Sequence, residues 1–306
     1  MSMTALSLST RKATPTAIGY AGAVVTVLIW ANWILATRHT AETQMTTIDL
    51  GLIRYGVPAL VLAPVWWRTG LLPKGVPLRL LALMVCGSGA LFFQLTTFAI
   101  QFTPASSAGI LLGGSMPLAT AMIGVLLFRE RLDITRWLGL GGIVAGVVIL
   151  LARSLYGVQI SWAGFTLLPL AALLWATYTH AFRRSGLSAV QSSAIIAVWS
   201  FLIHLGLAAI FGSSLTSVPL PEIGLQLVSQ GLLSGLAATL AYGLAVQALG
   251  GTQAAAFTAI TPVLATIGGG FLLGEEIGMA GIAAAIVTGA GVALSTGLFA
   301  RKSAQH

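Results

Sequence analysis

The sequence predicts an all-α integral membrane protein of ten transmembrane helices, built as two inverted five-helix repeats. Three observations predict it. Of 306 residues, 57% are hydrophobic and only 7% are charged, where a soluble domain carries roughly 25% charged residues. Ten apolar runs are each long enough for a bilayer core, which takes about 20 helical residues. The two halves of the chain also match at one fixed offset. The composition excludes a soluble enzyme, a nucleic-acid-binding domain and a disordered chain. The net charge of +8 therefore marks cytoplasmic loops rather than a surface for nucleic acid.

Taken in order, the first polar residues end at Arg11 and Lys12, and Pro15 precedes the first run, 17–37. That run exceeds the about 7–15 apolar residues of a cleaved signal, so it is read as a span. The second run, 48–67, opens at Asp49 and carries Arg54. The third, 78–100, holds Gln94 and the single Cys86, which rules out a disulfide framework within one chain. The fourth, 105–127, contains Gly113-Gly114 and Pro117, and the fifth, 136–152, runs from Gly139 through Gly146. The sixth to tenth are 161–182, 189–211, 225–248, 253–273 and 279–299, with Pro262 and Gly268-Gly269-Gly270 in the ninth. The 36 glycines mean close helix–helix approach in lipid, and Gly-rich faces are compatible with a homodimer. The expected division is a tail at 1–16, repeats at 17–152 and 161–299, and a tail at 300–306.

Orientation follows from loop charge. With the N-terminus in the cytoplasm, that side collects Arg11, Lys12, Arg68, Lys74, Arg79, Arg129, Arg131, Arg136, Arg183, Arg184, Arg301 and Lys302. The opposite side collects Arg38 and Arg153. The bias puts both termini in the cytoplasm.

The repeat appears at a shift of 145 residues: Leu28-Ile29-Trp30-Ala31 falls on Leu173-Leu174-Trp175-Ala176, Pro117 on Pro262, Glu130 on Glu275 and Gly146-Val147 on Gly291-Val292. One residue of slip also aligns Ala99 and Gln101 with Ala245 and Gln247. Five spans per copy is an odd number, so the second copy runs upside down. Inverted halves can exchange conformations and give alternating access. This favours a transporter over an enzyme or a scaffold.

On these residues the sequence resembles the EamA family of the drug/metabolite transporter superfamily. The shared elements are Trp30, Pro117, Glu130 and Gly146, then Trp175, Pro262, Glu275 and Gly291. The resemblance implies that the ten helices surround a central cavity, in the inner membrane of a bacterium. It also implies export of amino acids or other small metabolites, with the aromatic amino-acid branch as one candidate.

Several residues are candidates for the transport path. Pro117 and Pro262 each remove a backbone donor and free the carbonyls of Gly113 and Thr258, which in lipid need a partner or a wet cavity. Trp30, Asn32 and Trp33 have Trp175, Thr177 and Tyr178 as repeat partners. With Gln94 and Tyr242 they offer aromatic faces and amides for a zwitterionic substrate. Belt packing and helix–helix glue are the plainer readings of the same residues. Arg54 lies roughly 9 Å into its span; it either snorkels outward or faces a wet cavity and meets a carboxylate. His180 and His204 are isolated, and the His and Cys positions form no metal set. Neither a cofactor nor a metal is expected.

No Asp or Glu falls mid-span, whereas proton-driven pumps rely on intramembrane carboxylates. The expectation is thus a facilitative carrier whose partners are its small-molecule substrate and the lipid bilayer, with no nucleic acid. Glu130 and Glu275 are expected to brace helix ends. A proton-coupled drug/metabolite efflux carrier stays open as an alternative, and a membrane enzyme or lipid-handling protein is a weaker one, for want of a nucleophile–base pairing.

Overall fold

The computed structural model describes residues 16–129, 131–154, 161–249 and 251–296, and all regular structure among them is helical. The two tails and Glu130 lie outside the described residues. The first span is α1 (Thr16–His39). The second is α2 (Thr47–Val61) with α3 (Ala63–Thr69). The third is α4 (Leu78–Ser88) with α5 (Ala90–Gln101). Then come α6 (Ala105–Phe128), α7 (Ile134–Ser154), α8 (Trp162–Ser185) and α9 (Ala189–Phe211). The eighth joins α10 (Leu220–Gln226), a π-helical stretch (Leu227–Ala237) and α11 (Ala238–Leu249). The ninth joins α12 (Gly251–Phe257), a 3₁₀ turn (Thr258–Ile260) and α13 (Thr261–Leu273), and the tenth is α14 (Met279–Ser295).

Eight of these segments are long and apolar enough to cross a bilayer, and a ninth if α2 and α3, bent by 73°, count as one span. α14 is a shorter apolar helix of 17 residues. Large apolar side chains such as Leu28, Ile210 and Phe271 stay exposed, which suits lipid contact rather than water.

Local chemistry sets the ends. Thr46 and Asp49 close a capping box at the start of α2, and Ser188 and Gln191 close one at the start of α9. Each box satisfies two backbone donors that a helix start leaves unpaired. Asp49 is fully buried and also accepts from Ser213 Oγ (2.5 Å) and Ser214 N (3.2 Å), which ties α2 to the loop after α9. The bend at Leu62 sits between Pro58 and Pro64, where donors are missing on both sides.

Packing between the halves follows the repeat. α1 packs on α11, and their repeat mates α8 and α5 pack on each other. α6 packs on α8, and the mates α13 and α1 do the same. Three pairs are their own mates: α2 with α9, α6 with α13, and α7 with α14. This is the pseudo-two-fold arrangement that inverted repeats generate. The α7–α14 contact is backbone on backbone. A Cβ on Gly146 would overlap Thr288, and one on Gly291 would fall 2.5 Å from Ile143 N.

The third and eighth spans depart from α-helix at corresponding places. The third breaks at Gly89, between α4 and α5. The repeat position of Gly89 is Ser234, inside the π stretch. At Gly89 a Cβ would overlap Ser200 Oγ, so only glycine lets α9 approach here.

Candidate functional site

α2 inserts between the two irregular spans. Pro58 has no N–H, so the carbonyl of Arg54 loses its helical donor, and Gly235 of the π stretch packs against it: a Cβ there would lie 2.8 Å from Arg54 O. On the other flank, the Tyr55 hydroxyl donates to Ser88 O (3.2 Å), next to the break in the third span. Non-helical backbone at membrane depth is tolerated only where protein or a wet cavity surrounds it. Matched interruptions in two inverted halves point to where a transporter binds its cargo.

The Arg54 side chain enters this place. Its guanidinium lies 5.5 Å from the Trp33 ring centre and 5.7 Å from that of Phe93. Phe93 is 0% and Trp33 only 7% exposed, so the arginine points into the protein and does not snorkel to the surface. A charge mid-span costs about 2.5–3.5 kcal/mol on insertion scales. A cation–π contact contributes about 0.5–2 kcal/mol, so two rings offset most of that cost yet supply no counter-charge. Among the described residues, Glu275 pairs with Arg38 and Glu222 with His39, and no carboxylate pairs with Arg54. The NH1 group of Arg54 and Nε1 of Trp33 are buried without a hydrogen-bond partner.

Beside them, Gln94 Nε2 donates to Thr47 O and to His204 Nε2, both at 2.9 Å, while His204 Nδ1 donates to Ser200 O at 2.6 Å. One ring nitrogen therefore accepts and the other donates, which fixes a neutral imidazole. Tyr55 and Phe93 pack on this ring at 5.5 and 6.1 Å.

The structure gathers the other predicted residues into neighbouring groups. Trp30 packs on Tyr242 at 5.8 Å. Trp175 packs on Tyr178 at 5.2 Å and on Phe92 at 5.4 Å. Phe92 and Phe93 are adjacent on α5 and so connect the Trp175 group to Arg54. Asn32 is half-buried, and its Nδ2 has no partner. Gly113 lies against the Pro262 ring: a Cβ there would be 3.2 Å from Pro262 Cγ. The two prolines act differently. α6 continues through Pro117, whereas the ninth span breaks at Thr258–Ile260, and the freed Thr258 carbonyl accepts from Thr261 N in a 3₁₀ turn. Tyr55, Phe92 and Phe93 were not singled out by sequence; only the adjacency of Tyr55 to Arg54 hinted at any of them. A surface depression of about 640 Å³ lies elsewhere, among Trp67, Lys74 and Gly186, and none of the predicted residues lines it.

At the far end of α1, Glu275 accepts from Ala105 N with both oxygens (2.9 and 2.8 Å) and pairs with Arg38 Nε at 3.2 Å. Arg38 also donates to Gln101 O. Glu275 thus caps the start of α6, as a carboxylate at a helix N-terminus should, and joins the first, third, fourth and ninth spans.

Comparison with known proteins bears on this geometry. A crystal structure of a protein 21% identical superposes with a TM-score of 0.59, covering 91% of this chain and 95% of that one, so the fold is shared. The probable amino-acid metabolite efflux pump of Salmonella typhimurium (strain LT2) is 29% identical over 223 residues, which cover 68% of this chain and 73% of the relative. The EamA-like transporter family model matches twice, at residues 17–152 and 162–297. The chain therefore belongs to the EamA-like transporter family and is a multi-pass membrane transporter with two EamA domains.

Proposed function

We propose that the protein exports amino acids, aromatic or other neutral ones foremost, and related small metabolites, by alternating access across the cell inner membrane. The observation that carries this is the pair of interruptions at Gly89 and in Leu227–Ala237, at matching repeat positions on either side of Arg54. The name of the Salmonella relative, a probable amino-acid metabolite efflux pump, supports the substrate class. Trp30, Asn32, Trp33, Arg54, Gln94, Trp175, Tyr178 and Tyr242 contact the substrate in this reading, and Gly113, Pro117, Thr258 and Pro262 provide the backbone about which the halves move. The charge bias of the loops supports cytoplasmic termini, and in this reading the Arg38–Glu275 end faces outward.

Transport is facilitative in this reading. Of the carboxylates among the described residues, Asp49 is a capping residue and Glu275 a helix brace, and neutral His204 has both ring nitrogens occupied. None is a mid-span proton carrier of the kind pumps use. Counterflow in proteoliposomes tests the proposal. Saturable exchange of a labelled neutral amino acid, unaltered by a pH gradient, is the expected result. Accumulation driven by the gradient and abolished by a protonophore would replace it with proton-coupled efflux.

A further inference from the structure

We infer that Arg54 is the seat of a substrate carboxylate, so that a free carboxylate is what admits a molecule to this carrier. The inference rests on the transport reading above and deepens it by naming the recognised group. Arg54 lies seven residues into α2 from Thr47, roughly 10 Å along the axis, or about a third of the way through the hydrocarbon core. An arginine at such depth is ordinarily paired with an acid or with backbone carbonyls. Here the neighbours are the ring faces of Trp33 and Phe93 and the neutral Tyr55 hydroxyl, and among the described residues no carboxylate pairs with it.

The unpartnered nitrogens beside the rings are of one kind, and the unpartnered hydroxyls of Ser200 and Ser234 carry no charge. Arg54 NH1 and Trp33 Nε1 are both donors, and their closeness follows from the 5.5 Å between the guanidinium and that ring. Nearby acceptors are already engaged: Ser88 O by Tyr55, Thr47 O and His204 Nε2 by Gln94, and Ser200 O by His204. What the place lacks is an acceptor with negative charge. A carboxylate takes two N–H groups at once and matches the guanidinium fork. The rings that hold the cation, with Phe92 and Trp175 beyond them, form the apolar wall for the remainder of the substrate. A phosphate ester fits less well, because among the described residues Arg54 is the single cation placed at these rings to balance its charge.

The test is counterflow against a matched set: an amino acid, its C-terminal amide, its decarboxylated amine, and the same side chain on a carboxylic acid without the amino group. The wild-type protein is expected to exchange the amino acid and not the amide or the amine. Arg54→Gln should raise the half-saturation concentration for the amino acid about 100-fold, and Arg54→Lys about 10-fold, as loss or misplacement of one buried charge partner does. Size-exclusion profile and melting temperature in detergent check that the variants fold. Should Arg54→Gln not fold, the wild-type comparison of acid with amide decides alone. Equal exchange of amino acid and amide would overturn the carboxylate seat and leave amino-acid export standing. Exchange of the acid without its amino group, but not of the amino acid, would keep the seat and overturn amino-acid export. Exchange of neither would count against both.

Discussion

At the scale of single residues, the tightest constraint lies where α2 meets α9. A Cβ on Gly51 would overlap the His204 ring, and that ring is held by Gln94 and Ser200 and boxed by Tyr55 and Phe93. Nothing around it is a flexible chain end that can swing aside. Gly51→Ala should therefore lower stability by about 1–3 kcal/mol, the usual cost of overpacking. It should appear as a drop in melting temperature that His204→Ser in the same chain largely restores. A Gly51→Ala protein as stable as the parent would mean that the ring has room to move. Residue-level features were also the least legible in the sequence. Arg54 stood out because a charge contrasts with an apolar run. Phe92 and Phe93 did not, since two more phenylalanines in a chain that is 57% hydrophobic carry no contrast.

Helices show how backbone and glycine divide the work. The α7–α14 pair relies on Gly139, Gly142 and Gly146 against Gly291 and its neighbours, where added Cβ atoms would meet backbone. Gly141, on the same helix, has nothing within 4 Å of its would-be Cβ. Gly146→Leu is accordingly expected to reduce folded yield severalfold, whereas Gly141→Ala should leave it unchanged; fluorescence-detected size exclusion reads both. The glycine rows of α7 were evident from sequence because they recur at helical spacing. The interruptions at Gly89 and in the π stretch were not. One glycine among 36 does not announce a break, and Leu227–Ala237 reads as an ordinary, mostly apolar helical segment with no proline in it. The break near Thr258 was legible, because Pro262 removes a known donor.

For the whole molecule, the packing of α1 on α11 and of α8 on α5 shows that each half is completed by the other. The 145-residue shift carried that arrangement in outline, and it also maps Arg38 onto Arg183. The Arg38–Glu275–Ala105 junction joins spans of both halves at one end of the bundle. The alternating access proposed above requires the end at which they meet to part. Cysteines at positions 38 and 275, in a Cys86→Ser background, should permit a short bifunctional thiol reagent to arrest counterflow. A reducible linker should allow recovery on reduction. Undiminished exchange after complete cross-linking would show that this end does not open.

The mutual dependence of α7 and α14 also bears on how the protein is made. A nascent chain has all of α7 long before α14 leaves the ribosome, more than a hundred residues later by the numbering. Through that interval the glycine face of α7 has no final partner, and lipid or a chaperone must cover it. Assembly is thus decided by the last helix, and chains that stop before Met279 should be recognised as unfinished and degraded even though nine of the ten segments are in place.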